Sequence, residues 1–310
     1  MKANPNFSGV IAPALTPFGE DGAPDPDRFV DHCEWLLEDG CTGLAPFGTT
    51  SEANSLGLDE RMELLEELID AGIDPAKLMP GTGTCSTADT AILTQHAVDL
   101  GCGGVLMLPP FYYKNPSEEG LFRYFADVID EVGDDRLRVY LYHIPPVAQV
   151  GFPLSLIGRL RSEFPEVVVG LKDSSGDWSN MAAILEAYPG FELFPGSELY
   201  LLQGLRAGAV GTISATANIA ARSMREVFDN WQTAGADALQ DKVSALRKTV
   251  QSYPVIPLLK ALISRYREDE AWAELRPPFV AMPKADADKA IKVLAEEHGF
   301  SLAFEDDEQD

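Results

Sequence analysis

Lys172 closes the apolar run Val167-Val168-Val169-Gly170-Leu171, and the polar stretch Asp173-Ser174-Ser175-Gly176-Asp177 follows it. Three β-branched residues and a leucine suit a short strand buried on both faces. A lysine at the carboxyl end of such a strand sits in apolar surroundings, where an ammonium is costly to keep charged. The neutral amine is a nucleophile, and its natural electrophile is a ketone or aldehyde. The plain alternative is a lysine that snorkels from a strand end to water. Other reactive residue types also stand just past apolar runs: Gly48-Thr49-Thr50-Ser51-Glu52, Tyr112 to Lys114, Tyr142-His143, Gly196-Ser197-Glu198, and Ser214 to Asn218. Alone, a Thr-Thr turn is usually a helix cap, and a strand-end tyrosine is usually packing. One lysine, several hydroxyls, tyrosines and glycines with exposed N–H groups converging on one rim is a stronger signal.

The elements that must bring them together alternate. Apolar runs predict strands at 9–15, 43–47, 78–81, 104–108, 137–143, 167–172, 192–195 and 211–214. Helical patterns predict helices at 25–37, 59–69, 87–100, 117–132, 153–163, 178–188, 199–207 and 221–231. Ser117 and Asp177 are placed to cap two of them. Repeated β–α units of this length predict an α/β fold, a (β/α)8 TIM barrel, with chemistry at the carboxyl ends of the strands. A doubly wound open sheet is the alternative, weakened by the lack of a glycine-rich dinucleotide fingerprint after the first strand. The division expected is a barrel over 1–235, a C-terminal helical extension over 236–300 with helices at 237–253, 257–266 and 286–297, and an acidic, disordered tail over 301–310.

Composition narrows the partners. Lys and Arg number 24 against 49 Asp and Glu, a net charge of -25 that argues against nucleic acid or an anionic membrane. No apolar run approaches the roughly 20 residues of a membrane span, and the polar start predicts no signal peptide. Four scattered cysteines (Cys33, Cys41, Cys85, Cys102) predict a reduced, cytoplasmic protein. Four histidines without ligand spacing predict no catalytic metal.

The motifs Gly48-Thr-Thr-Ser-Glu52, Tyr142-His-Ile-Pro145, Gly170-Leu-Lys-Asp-Ser-Ser-Gly-Asp177 and Gly211-Thr-Ile-Ser-Ala-Thr-Ala-Asn218, in this order, resemble the dihydrodipicolinate synthase / N-acetylneuraminate lyase family. These are pyruvate-handling Schiff-base aldolases on TIM barrels, and the similarity runs over about 9–265. The resemblance implies Lys172 as the imine lysine and Tyr142 as the proton carrier. It implies Thr49 and Thr50, beside Gly48, as the holders of the pyruvate carboxylate, with Thr49 also bonded to Tyr142. It implies Tyr113 as a relay to solvent, Tyr112 as a residue reaching a neighbouring subunit, and Ile213 (through its carbonyl) and Gly196 beside the pocket. It further implies a homotetramer built as a dimer of dimers, a 2-keto acid and an aldehyde as substrates, and no external cofactor, because the lysine itself is the electron sink.

Three positions depart from the family pattern. Ser51 replaces a usual glycine, His143 a common asparagine, and Val147 the arginine with which dihydrodipicolinate synthases hold an aldehyde's carboxylate. His143, next to Tyr142 on a strand, should point the other way and pack. Without an arginine, the expectation is a bulkier or hydroxylated acceptor held by Ser51, Asn54, Gln149 and Ser214. The leading function is thus a lyase or aldolase acting reversibly on C–C bonds of a 2-keto acid. Alternatives are a true 4-hydroxy-tetrahydrodipicolinate synthase, a 2-keto-3-deoxy sugar acid dehydratase and a non-enzymatic 2-keto acid sensor.

Overall fold

The structure, a computed structural model, describes residues 7–302. The elements are β1 (Gly9–Ala12), α1 (Pro26–Glu38), β2 (Gly43–Leu44), α2 (Leu58–Asp70), α3 (Thr87–Asp99), β3 (Val105–Met107), α4 (Glu118–Val132), β4 (Val139–His143), α5 (Pro145–Ala148), α6 (Leu154–Glu163), β5 (Val168–Asp173), α7 (Trp178–Ala187), β6 (Glu192–Pro195), α8 (Leu201–Ala207), β7 (Gly211–Ile213), α9 (Ala217–Asn230), α10 (Ala236–Val250), α11 (Val255–Tyr266) and α12 (Lys284–His298). The side chains of Ser117 and Asp177 accept from the first turns of α4 and α7, as their positions predicted. The acidic end beyond 302 lies outside the described residues.

Every strand pair is parallel, in the orders β2-β1-β7 and β3-β4-β5-β6. Residues 78–81 join the two sheets on one side, with Leu78 bridging Leu44 and Gly81 bridging Leu106. On the other side Val210 N–H donates to the Leu193 carbonyl (3.1 Å) and Thr212 Oγ1 to the Pro195 carbonyl (2.8 Å). The ring closes as a (β/α)8 barrel, the architecture that the alternating pattern predicted.

The departures sit at prolines. The predicted third strand is reduced to bridges, because Pro80 has no N–H to donate. Pro13 follows the last residue of β1, and Pro46 stands just beyond β2. Pro145 and Pro146 open α5, a helix between the predicted strand 137–143 and helix 153–163, and Gln149 ends it in a left-handed conformation (φ 56°).

Side chains alternate between two layers. Ile11, Ala45, Met79, Leu106, Tyr140, Phe194 and Ile213 fill the barrel interior. Their neighbours Val10, Leu44, Val105, Leu141, Leu171 and Leu193 lie in the outer core beneath the helices. Helices α10 and α11 pack against α9, and α12 packs on both. No helix of the described residues is long and apolar enough to cross a membrane.

Asn218, at the start of α9, ties β1 to the end of β7. Its Oδ1 accepts from Leu15 N–H (3.0 Å), and its Nδ2 donates to the carbonyls of Pro13 (3.1 Å) and Ala215 (2.9 Å). The same Oδ1 lies 3.0 Å from His32 Nε2, so that nitrogen carries the proton. His32 is fully buried between Trp35 and Trp272, and burial lowers its pKa to about 3, with Arg267 acting in the same direction. The unfolded chain therefore takes a proton below pH 6.5 that the fold refuses until about pH 3. Stability falls with pH across that window, by about 2 kcal/mol between pH 7 and pH 5 from this group. Urea titrations at the two pH values should show that loss shrinking in His32→Gln; equal losses in both proteins would contradict it.

Candidate active site

The pairing of β4 with β5 decides where Lys172 points. Val139 pairs with Val168, but Tyr140 pairs with Gly170, so β5 carries one extra residue at this point. Beyond it the register runs Leu141 with Leu171, Tyr142 with Lys172 and His143 with Asp173. A one-residue slip exchanges the two faces of a strand. Without the extra residue, Leu171 would stand beside Tyr142 and Lys172 would face the helices. With it, Leu171 joins the outer core and Lys172 stands inside beside Tyr142. Gly170 permits this: a Cβ there would lie 2.5 Å from both the Tyr140 ring and the Glu192 carbonyl.

Lys172 is 4% exposed, with Phe194 of β6 as its partner on the other side. Its Nζ lies 4.4 Å from the centroid of the Tyr142 ring, within cation–π range. The Tyr142 hydroxyl lies 3.2 Å from Thr49 Oγ1. Lysine, phenol and threonine hydroxyl thus adjoin one another, the residue types that nucleophilic catalysis with a proton carrier uses.

Thr49 belongs to the turn after β2. Two non-glycine residues in left-handed conformations bracket it, Phe47 (φ 60°) and Glu52 (φ 56°). Inside it, Glu52 N–H donates to the Thr49 carbonyl (3.2 Å) and Ala53 N–H to the Gly48 carbonyl (3.1 Å). Among the described residues the N–H groups of Thr49 and Thr50 donate to no protein acceptor. Two free N–H groups and two hydroxyls on adjacent residues are the kinds of donor an anion requires. A small pocket beside it is lined by Gly48, Asn54, Gly81, Gly83, Leu108 and Tyr142. Two larger clefts, of about 670 Å³ each, lie between outer helices and contain neither Lys172 nor Tyr142. The barrel mouth is the candidate site because the reactive groups meet there.

Other predicted residues take different places. Ser51 is corrected: it is fully buried, its hydroxyl donates to the Ala14 carbonyl (2.5 Å) and accepts from Gly48 N–H (3.3 Å), and neither is left for a substrate. It is a strut of the turn, and its Cβ is accommodated because it points into the fold. Ser214 is corrected likewise, being buried and donating to the Glu198 carboxylate. Asn54 lines the pocket and is exposed, as is Gln149. Tyr112 and Tyr113 are 73% and 79% exposed and pack edge-to-face on one another, apart from the Tyr142–Thr49 pair. Ile213 lies in the interior cluster. Gly196 is required by close approach, since a Cβ would fall 2.0 Å from Ser174 Oγ, and its N–H donates to the Asp173 carbonyl (2.6 Å). His143 packs outward as expected, its Nδ1 accepting from Phe152 N–H (3.0 Å), and burial lowers its pKa.

The sequence reading missed Asp173. Fully buried, it accepts from Ser175 N–H (2.8 Å) and Asn180 Nδ2 (2.6 Å), fixing the chain directly after Lys172. A carboxylate two residues before a Ser-Gly turn was the available signal. Among the described residues, no group of three or more His, Cys, Asp or Glu side chains could hold a metal ion.

The profile of the dihydrodipicolinate synthetase family matches residues 6–297. An uncharacterized DapA-like lyase of Chloroflexus aurantiacus is 35% identical over 276 residues, covering 88% of this chain and 91% of that protein. The 4-hydroxy-tetrahydrodipicolinate synthase of Rhizobium meliloti is 33% identical, over 84% of this chain and 88% of its own. The crystal structure of dihydrodipicolinate synthase from Agrobacterium tumefaciens superposes with a TM-score of 0.87 at 33% identity, covering 94% of this chain and 99% of the other. With the barrel, the inward lysine and a whole-chain match in agreement, this chain belongs to the dihydrodipicolinate synthetase family, and it is an enzyme of the lyase type.

Proposed function

We propose that the protein binds pyruvate, or a 2-keto acid that yields pyruvate, as an imine on Lys172, and reversibly breaks or forms the C–C bond beside it. The observation that carries this reading is the chain from Lys172 Nζ, 4.4 Å from the Tyr142 ring centroid, to the Tyr142 hydroxyl, 3.2 Å from Thr49 Oγ1. Lys172 adds as a free amine to the keto carbon. The former carbonyl oxygen takes one proton from the added nitrogen and one from Tyr142 and leaves as water. The resulting iminium withdraws electrons: as the Tyr142 phenolate takes the proton of the hydroxyl on C4, the C3–C4 bond breaks and its electron pair moves into the iminium. An aldehyde departs and an enamine remains; protonation and hydrolysis release pyruvate. Condensation is the same path reversed. The Thr49–Thr50 turn holds the carboxylate, with the Ile213 carbonyl and Gly196 beside it. We read the assembly as a homotetramer, with Tyr112 and Tyr113 offered to a neighbouring subunit, and the location as cytoplasmic.

The acceptor side supports a substrate other than the short carboxylated aldehyde of the synthases. Val147 is 64% exposed on α5, where a planar arginine fork would suit a carboxylate. Arg159 bonds Glu119 (2.6 Å) and stacks on Phe122, and Arg161 stacks on Tyr188 and Phe191, so both are committed on the outer helix. The cation at this edge is Lys114, whose ammonium donates to the carbonyls of Phe111 and Ala148. Losing a charge-assisted partner costs about 1.5–3 kcal/mol, roughly 10- to 100-fold in binding.

Borohydride reduction in the presence of pyruvate should add the mass of the reduced imine at Lys172 and none in Lys172→Ala; label on Lys114 or Lys260 instead would overturn the assignment. Tyr142→Phe should lower turnover by about 100-fold or more, and wild-type turnover in that variant would move the proton role elsewhere. Steady-state assays should give a lower kcat/KM for aspartate semialdehyde with pyruvate than for the best of a panel of 2-keto-3-deoxy sugar acids. A tenfold advantage for the semialdehyde over every panel member would reverse the acceptor reading.

A further inference from the structure

Behind the Thr49–Thr50 turn lies a buried charge cluster that the chemistry above does not use. The Glu52 and Lys260 side chains are both fully buried, and Lys260 Nζ lies 2.6 Å from Glu52 Oε1. The same ammonium donates to the Glu274 carbonyl (2.7 Å) and lies 4.3 Å from the Phe18 ring centroid. The other oxygen of Glu52 accepts from Arg276 N–H (3.1 Å). The Arg276 guanidinium in turn bonds Glu60 at both oxygens (2.6 Å each) and the carbonyls of Gly22 (2.7 Å) and Ser55 (2.9 Å). Lys260 belongs to α11, and Arg276 follows a short helical turn beyond it.

Glu52 is one of the two left-handed residues that bracket the turn. A non-glycine residue persists in that conformation only where its surroundings over-determine it. One buried cation, the Lys260 ammonium, and the backbone N–H of the half-buried Arg276 converge on this carboxylate. Burial lowers the Lys260 pKa to about 8 against the pull of Glu52. Buried ion pairs add little net stability over apolar replacements of similar volume. What this pair does provide is a fixed position for Glu52, the left-handed residue at the end of the turn.

Resting on the reading that this turn binds the substrate carboxylate, we propose that Lys260 is a positioning residue for that site: its buried ion pair with Glu52 holds the N–H groups and hydroxyls of Thr49 and Thr50 in carboxylate-binding geometry. The role is selective. A 2-keto acid needs the turn, and a simple ketone that reaches Lys172 does not.

The test compares imine trapping with pyruvate and with acetone, which lacks the carboxylate. Lys260→Met alone leaves Glu52 buried without its cation, which is strongly destabilising. The double variant Glu52→Gln/Lys260→Met removes both charges and is the informative protein, with folding checked by circular dichroism and thermal unfolding. In it, the pyruvate concentration for half-maximal trapping should rise about tenfold or more, with that for acetone changed less than about twofold, the size expected for a lost charge-assisted binding contact. A folded double variant with wild-type pyruvate saturation overturns the inference, as does equal weakening for both ketones, which assigns the pair to general stability. Thr50→Val is the control for the reading beneath it: if that variant keeps the wild-type preference for pyruvate over acetone, the turn does not bind the carboxylate, and the inference falls with that reading.

Discussion

The single extra residue in β5 is the constraint on which the rest of the site depends. Parallel pairing with β4 fixes the backbone, and the bulge decides which of Leu171 and Lys172 faces inward. An inward Lys172 lies against Tyr142 and Phe194, with no carboxylate partner among the described residues. The barrel therefore places this reactive amine in an apolar interior rather than at the solvated surface. Groups held this way mark functional sites more often than structural ones. Asp173, one residue on, faces the other way, and each of its oxygens is bonded, which anchors the strand end.

The same economy runs through the rim. The turn that carries Thr49 and Thr50 leaves two N–H groups uncommitted and is bounded by two left-handed residues. It is fixed from behind by Ser51, which bonds the backbone past β1, and by Glu52, which meets α11. Asn218 performs the corresponding task where the barrel closes, joining the segment after β1 to that after β7 and orienting His32. Side chains of the rim turns and of a helix start thus tie the mouth of the barrel together, and preorganisation of this kind is what lets a positioned amine and phenol act on a bound ketone.

Much of this was legible in the sequence. Lys172 announced itself by ending an apolar β-branched run, and the caps Ser117 and Asp177 were readable because side-chain capping is local chemistry. The alternation of strands and helices gave the barrel for the same local reason. What was not legible depends on partners distant in sequence. Nothing local distinguishes a serine that lines a pocket from Ser51, whose hydroxyl is taken by Ala14, or from Ser214, taken by Glu198. The bulge was signalled only by Gly170 inside a strand, and its necessity comes from Tyr140 and Glu192 on the two neighbouring strands. The third strand looked regular because its apolar residues suit one, yet Pro80 removes the donor that a continuous ladder needs. Lys260 gave no signal beyond an apolar helix with one lysine, since its partner lies about 200 residues earlier in the chain.

The central claim is that Lys172, Tyr142 and the Thr49–Thr50 turn act on one bound 2-keto acid. A crystal structure of the protein soaked with pyruvate tests it most directly. The account predicts continuous density from Lys172 Nζ to the keto carbon, with the carboxylate against the N–H groups and hydroxyls of Thr49 and Thr50 and the Tyr142 hydroxyl within hydrogen-bond distance of the former carbonyl carbon's substituents. Pyruvate joined to another lysine, or joined to Lys172 with its carboxylate held away from that turn, would contradict it.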